Sequence, residues 1–238
     1  MKSVLSLLAV FFLCSTASAQ LNTSALERAM ANPGRPAADK ERDASRKAPQ
    51  VLAFVGLEPG MTVIDLIAIG GWYSEVLALA VGDNGKVYMQ NNPSPFVERN
   101  MDAINDKLGR LSNLEHLLGP VSDVAAGSVD FVMTALNFHD VHNANAAAAQ
   151  GLFTQVLTVL KPGGILAVID HEGTPGADNA SLHRVPYEET VKAIVGVGFA
   201  LVGSSEMLDN PADDHTLSPS DASLGRNTDR FVLKFVKM

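Results

Sequence analysis

From Met61 onward, short apolar runs of strand length alternate with stretches whose apolar residues recur at helical spacing. Few folds accept that alternation besides one built from βαβ units around a largely parallel sheet. Seven runs have strand character: "MTVIDLI" (61–67), "GKVYMQ" (85–90), "LEHLL" (114–118), "VDFVMTAL" (129–136), "ILAVID" (165–170), "ALVGSSEML" (200–208) and "DRFVLKFV" (229–236). Between them, Tyr73, Val76, Leu77, Ala80 and Val81 fall at helix spacing, and the alanine-rich "NANAAAAQGLFTQVLTVL" (143–160) predicts a second helix. "GDNG" (82–85) and "KPGG" (161–164) read as turns, the second ending a helix just before a buried strand. Only a polar loop, 209–228, separates the last two strands, so they are expected to pair antiparallel at one edge. The predicted architecture is α/β, a seven-stranded and mostly parallel sheet with a C-terminal antiparallel hairpin and helices on both faces.

Upstream of this pattern stand two other segments. "MKSVLSLLAVFFLCSTASA" (1–19) has a cation at Lys2, an apolar run and small residues at Ala17 and Ala19, the signature of a cleaved secretory signal. The apolar run is shorter than the roughly 20 residues of a membrane-spanning helix, so the expectation is a periplasmic or secreted chain with no stable membrane insertion after cleavage. Residues 20–60 form a helical lead-in, with Pro36 and Pro49 punctuating a helix over "RPAADKERDASRKAPQ" (35–50) and "VLAFVGL" following as another; residues 61–238 form the α/β domain. The single cysteine, Cys14, leaves with the signal, which excludes a disulfide framework and a thiolate nucleophile from the mature chain. Stability therefore rests on a core, for which 47% hydrophobic residues suffice. A net charge of −8 and the lack of a basic stripe argue against nucleic acid as a partner.

In an open α/β sheet, ligands bind beyond the carboxyl ends of the strands. That rule gathers Asp65, residues 90–92, residues 137–142 and residues 170–172 on one rim, with Asn210, Asp213, Asp214 and His215 reaching it from the loop after the sixth strand. "VIDLIAIGGWYSEVLA" (63–78) has the form of a strand, a glycine turn and a helix, and Gly70 and Gly71 let backbone approach a ligand at the helix start. Ile67 and Ile69 stand in the same turn, where a β-branched side chain resists positive φ. Two His-acid groups, "NFHDVHN" (137–143) and "IDHEG" (169–173), together with His183 and Arg184, predict a polar pocket.

The pieces "RDASRKAPQVLAFVGLEPGMTVIDL", "GGWYSEVLA", "NFHDVHN", "LKPGGILAVIDHEGTPG", "NPADDHT" and "TDRFVLKFVK" extend over nearly the whole mature chain. In that order and spacing they resemble class I S-adenosylmethionine-dependent methyltransferases of Rossmann-like fold, and more closely a group of exported bacterial proteins described as predicted methyltransferases. The resemblance implies methyl transfer from S-adenosylmethionine to a small-molecule substrate. It assigns Asp65, Gly70 and Gly71 to the cofactor's turn, with Ile67 and Ile69 in two usual glycine places. Asn91 falls where an acid commonly accepts the ribose hydroxyls, and Asp123 near the place of an adenine contact. Asn137, His139, Asp140 and His171 form the reaction pocket, His139 and Asp140 as candidate bases and Asn137 orienting acceptor or cofactor.

Two other readings remain open at this level. His139, His142, His171 and His183 with nearby carboxylates are a candidate zinc site, although no established metal signature is present. A non-enzymatic protein that holds another small ligand is the third, motivated by the two isoleucines. Arg42, Arg46, Lys47, Arg226 and Arg230 either close over the pocket and attract an anionic group or belong to solvated faces, with Asp39, Glu41 and Asp43 pairing nearby cations. Neither the methyl acceptor nor the oligomeric state is legible.

Overall fold

The computed structural model describes residues 20–238; the signal expected over residues 1–19 lies outside them. In chain order the elements are α1 (Thr23–Met30), α2 (Ala37–Lys40), α3 (Asp43–Arg46), α4 (Ala48–Val55), β1 (Thr62–Leu66), α5 (Trp72–Val81), β2 (Lys86–Asn91), α6 (Pro95–Arg99), α7 (Met101–Arg110), β3 (Leu114–Leu118), β4 (Val129–Ala135), α8 (Phe138–Ala144), α9 (Ala146–Val159), β5 (Leu160–His171), α10 (Tyr187–Val195), β6 (Phe199–Ser205) and β7 (Arg230–Lys237). The strands form one seven-stranded sheet in the order β3-β2-β1-β4-β5-β7-β6. Strands β1 to β5 pair parallel, and β7 runs antiparallel between β5 and the edge strand β6.

Because side chains alternate along a strand, each central strand feeds two cores. Val63 on β1, Phe131 and Met133 on β4, and Ala167 and Ile169 on β5 pack under α1, α4, α5 and α7, against Leu26, Leu52, Leu77 and Ile104 among others. Ile64 and Leu66, Val132, and Leu166 and Val168 face the other way, against Phe138, Phe153, Val156 and Ile194 of α8, α9 and α10. Full burial of each such side chain is worth about 1.5–3 kcal/mol. The same alternation decides the chemistry at the end of β5, sending Asp170 to the α8 side and His171 to the side of the N-terminal helices.

Several local readings are corrected by the coordinates. The single helix expected over 35–50 is two short ones, α2 and α3, and a left-handed Lys47 (φ 43°) separates α3 from α4, whose second residue is Pro49. Helix α1, capped by the Asn22 side chain, lies in the expected helical lead-in, ahead of the two helices placed there from the sequence. "NFHDVHN" is mostly helix α8 rather than a strand-end loop, and the alanine-rich helix starts at Ala146, where Asn145 accepts from the Ala147 and Ala148 N–H groups. The "KPGG" turn falls inside β5: Leu160 pairs with Val129 and Ile165 with Phe131, so residues 161–164 bulge from the ladder. No helix among the described residues is long and apolar enough to cross a membrane.

The polar loop 209–228 is fastened by a fully buried ion pair. The Arg184 guanidinium donates to both oxygens of Asp213 at 2.8 Å, and its other nitrogens donate to the Glu172 and Leu217 carbonyls. Asp213 also accepts from the Asp229 and His215 N–H groups. Removing one partner of such a pair strands a buried charge, so Asp213→Ala is expected to lower stability by about 3–5 kcal/mol in denaturant unfolding. A loss within 0.5 kcal/mol, roughly that of a typical surface change, would show that the loop is held elsewhere.

Candidate active site

The turn between β1 and α5 does adopt the glycine-type path, with Ile67 at φ 56°, Ile69 at φ 52° and Gly71 at φ 72°. Left-handed backbone costs a non-glycine residue about 1–2 kcal/mol. Side-chain carboxamides hold it in place. Gln90 Oε1 accepts from the Ile67 N–H at 3.1 Å, while Asn91 Oδ1 accepts from the Ile69 N–H at 2.7 Å and its Nδ2 donates to the Ile69 carbonyl. Asn137 Nδ2 donates to the Ile67 carbonyl at 3.0 Å and to that of Ala135. At Gly71 an added Cβ would lie 2.4 Å from Met89 Cε, so that side chain would have to move as well as the backbone bear left-handed strain.

These contacts change the parts given to three residues. Asn91 is fully buried with its carboxamide committed to Ile69 and near His116, so it shapes the turn rather than offering an acceptor to a ribose. Asn137 spends both N–H bonds on the Ile67 and Ala135 carbonyls rather than on a ligand. Asp65 is buried under the first turn of α5, accepting from Ser74 Oγ at 2.6 Å, and burial pushes its carboxyl up to about 7 despite Ser74 and Arg46. Gly70 lines a pocket of about 310 Å³ with Asp39, Arg42, Ile69, Asn100 and Lys107. Asp123 belongs to a short 3-10 turn (Val121–Asp123) after β3.

On the other side of the sheet, Asp170 organises the start of α8. It is fully buried, and Oδ2 accepts from the His139 N–H while Oδ1 lies 2.6 Å from His139 Nδ1 and accepts from the His171 N–H. His139 Nε2 faces Asp140 Oδ1 at 3.3 Å, and His183 Nδ1 reaches the same oxygen at 2.7 Å. Burial alone would lower the His139 pKa, but hydrogen bonds and charge from Asp140 and Asp170 outweigh it and raise it to about 9. Asp140, hydrogen-bonded to His139, is held down to about 2. At neutral pH His139 is therefore an imidazolium between two carboxylates, and neither it nor Asp140 is poised as a general base.

His171 is the reverse case. Burial and the positive charges of His139, Arg230, Arg184 and Arg46 keep its pKa well below 6.5, so the ring is neutral, with Nδ1 2.6 Å from Thr228 Oγ1. It lines a cleft of about 750 Å³ whose other walls include Arg42, Arg46, Leu136, Pro219, Arg226, Thr228 and Arg230. Arg42 lines both this cleft and the pocket beside Gly70, so the two are neighbours with that residue in common. The part played by Gln90, Asp170 and Thr228 carries no motif. Each acts on a residue far along the chain.

The zinc quartet is not assembled. His142 stacks on Phe138 and lines a separate pocket with Glu189 and Lys192, whereas His139, Asp140 and His183 bring one ligand atom each within 4.8 Å of one another. That trio can accept a divalent ion, and the proton on His139 satisfies the same carboxylate without one.

Ile69 is partly exposed and belongs to neither core, so its side chain contributes little packing to offset its backbone. Ile69→Gly is expected to raise stability by about 1 kcal/mol through relief of the left-handed strain, measured by thermal or denaturant unfolding. A destabilised variant would show that the Ile69 side chain, rather than the carboxamides, fixes the turn.

No protein-family model matches the chain, and no curated protein matches it. Solved structures do. A SAM dependent methyltransferase from Aquifex aeolicus superposes with a TM-score of 0.63 at 21% identity, covering 91% of this chain and 99% of its own. The [4+2]-cyclase SpnF gives 0.61 at 15% identity over 90% and 92%. An arsenic (III) S-adenosylmethionine methyltransferase from Chlamydomonas reinhardtii gives 0.56 at 16% identity over 89% and 72%. Together with the strand order and the C-terminal antiparallel hairpin, these likenesses show that the chain has the Rossmann-like fold of the class I methyltransferases.

Proposed function

We propose that the chain transfers a methyl group from S-adenosylmethionine to a small molecule held in the 750 Å³ cleft. The observation that carries this reading is a neutral imidazole, His171, lining a cleft that shares Arg42 with the pocket beside the glycine turn. The amino-acid end of the cofactor fits what surrounds that turn. Arg42 Nε is buried without a hydrogen-bond partner among the described residues, Gly70 lines the same pocket, and Gly71 is the N-cap of α5 with no side-chain cap. Those donors suit a carboxylate. Ribose recognition by a carboxylate at the end of β2 has no candidate there, because Asn91 is committed to the turn.

When bound, S-adenosylmethionine supplies an electrophilic methyl group on a sulfonium. The chain's own work is to seat the acceptor and take its proton. In the tautomer where His171 Nδ1 donates to Thr228 Oγ1, Nε2 carries the lone pair that receives the proton. Burial keeps His171 neutral, and the His139 imidazolium, locked by Asp170, adds to this by charge and so acts through it as a positioning residue. Since a [4+2]-cyclase shares the fold, the fold does not choose the chemistry; the neutral base in the cleft favours proton removal from an acceptor. On the strength of residues 1–19, the proposal includes a mature chain in the periplasm or medium, where the cofactor would have to be met.

Incubating the mature chain with methyl-labelled S-adenosylmethionine and a deproteinised small-molecule extract is expected to yield a labelled small product. His171→Gln should slow this by about 100-fold. The proton-accepting form exists above the depressed His171 pKa, so the wild-type rate should be flat from pH 6.5 upward and fall only at lower pH. Equal rates for variant and wild type would remove His171 from the reaction, and no labelled product from any extract would count against methyl transfer.

A further inference from the structure

In a chain of net charge −8, the cleft lining carries four guanidinium groups, Arg42, Arg46, Arg226 and Arg230, against one carboxylate, Asp221. That carboxylate is occupied, accepting from the Ser223 N–H and hydroxyl. Two of the arginines are also occupied. Arg42 pairs with Asp39, and Arg230 donates to the Thr228 and Ser45 carbonyls and to Asn227 Oδ1. Arg46 and Arg226 differ, for neither guanidinium donates a hydrogen bond to the protein among the described residues.

Arg46 lies over the Trp72 ring, 4.4 Å from its centroid, and 5.3 Å from that of Tyr73. Stacking uses the face of a guanidinium and leaves the N–H donors around its edge for a ligand. Burial lowers its pKa, but only to about 10, so the charge persists at neutral pH. Arg226 stands in the left-handed region at φ 61°, directly after the left-handed Gly225, two residues from the Thr228 that holds His171.

We propose that the small molecule bound in this cleft carries an oxyanion, a carboxylate or phosphate, held between Arg46 and Arg226 beside His171. The inference deepens the methyl-transfer reading and rests on it for the statement that this molecule is the methyl acceptor. A second source of the same chemistry is the cofactor's own carboxylate, and the experiment separates them.

Inorganic phosphate and acetate are titrated calorimetrically into the mature chain, first saturated with S-adenosylhomocysteine and then without it. The expected result is one saturable oxyanion site in both states, weakened at least tenfold in Arg46→Gln and in Arg226→Gln, with S-adenosylhomocysteine affinity unchanged in Arg226→Gln. Arg226 is exposed and free of partners among the described residues, so that variant retains the fold, which its melting curve verifies. Competition between the oxyanions and S-adenosylhomocysteine would overturn the proposal in favour of the cofactor's carboxylate, and arginine-independent binding, or none, would overturn it outright. Arginine-dependent oxyanion binding in a chain that ignores S-adenosylhomocysteine would support the oxyanion site while removing the methyl-transfer reading.

Discussion

The site depends on a turn that its own residues disfavour. Ile67 and Ile69 sit in left-handed backbone at about 1–2 kcal/mol each. Gln90 and Asn91 from the neighbouring strand and Asn137 from beyond β4 bind the N–H and carbonyl groups of those two residues. Each hydrogen bond is worth about 0.5–1.5 kcal/mol net, so four of them offset the strain. The β1–α5 connection thus keeps the path that glycines would otherwise give it. What is lost is freedom at the second strand, since the carboxamide that secures the turn cannot also receive a ligand.

A second constraint is the two-residue period of β5. Asp170 and His171 are adjacent in sequence and opposite in outcome: one is buried beneath α8 and, with Asp140, keeps His139 protonated, while the other lines the cleft and is kept neutral by burial and by the positive charge around it. His139 and His171 are thus driven in opposite directions by their environments, a common feature of functional sites. The buried Arg184–Asp213 pair serves the same arrangement from the far side, fixing the loop that supplies Arg226 and Thr228.

The sheet was legible because its strands are short, apolar and separated by helical spacing; "LEHLL" (114–118) coincides with β3, and the other strand ends differ where pairing frays or, at β5, where the bulge extends it. The antiparallel closing hairpin was legible from the missing crossover helix. Helix α8 was not, because its first turn is capped by Asp170, 31 residues away, and its own residues carry little apolar periodicity. The candidate residues were mostly found on the expected rim, yet their parts were assigned by residue type. His139 and Asp140 look like bases until Asp170 is placed beside them, and Asn91 and Asn137 look like ligand contacts until the strained turn claims their amides. Such long-range hydrogen bonds leave no periodic trace in a sequence.

Whether a turn built with isoleucines and carboxamides still serves the cofactor of this fold is the central claim, and binding tests it without knowledge of the acceptor. Calorimetric titration of the mature chain with S-adenosylhomocysteine is predicted to give a saturable one-to-one isotherm. An absence of binding heat up to millimolar ligand, from a chain that melts cooperatively, would contradict it.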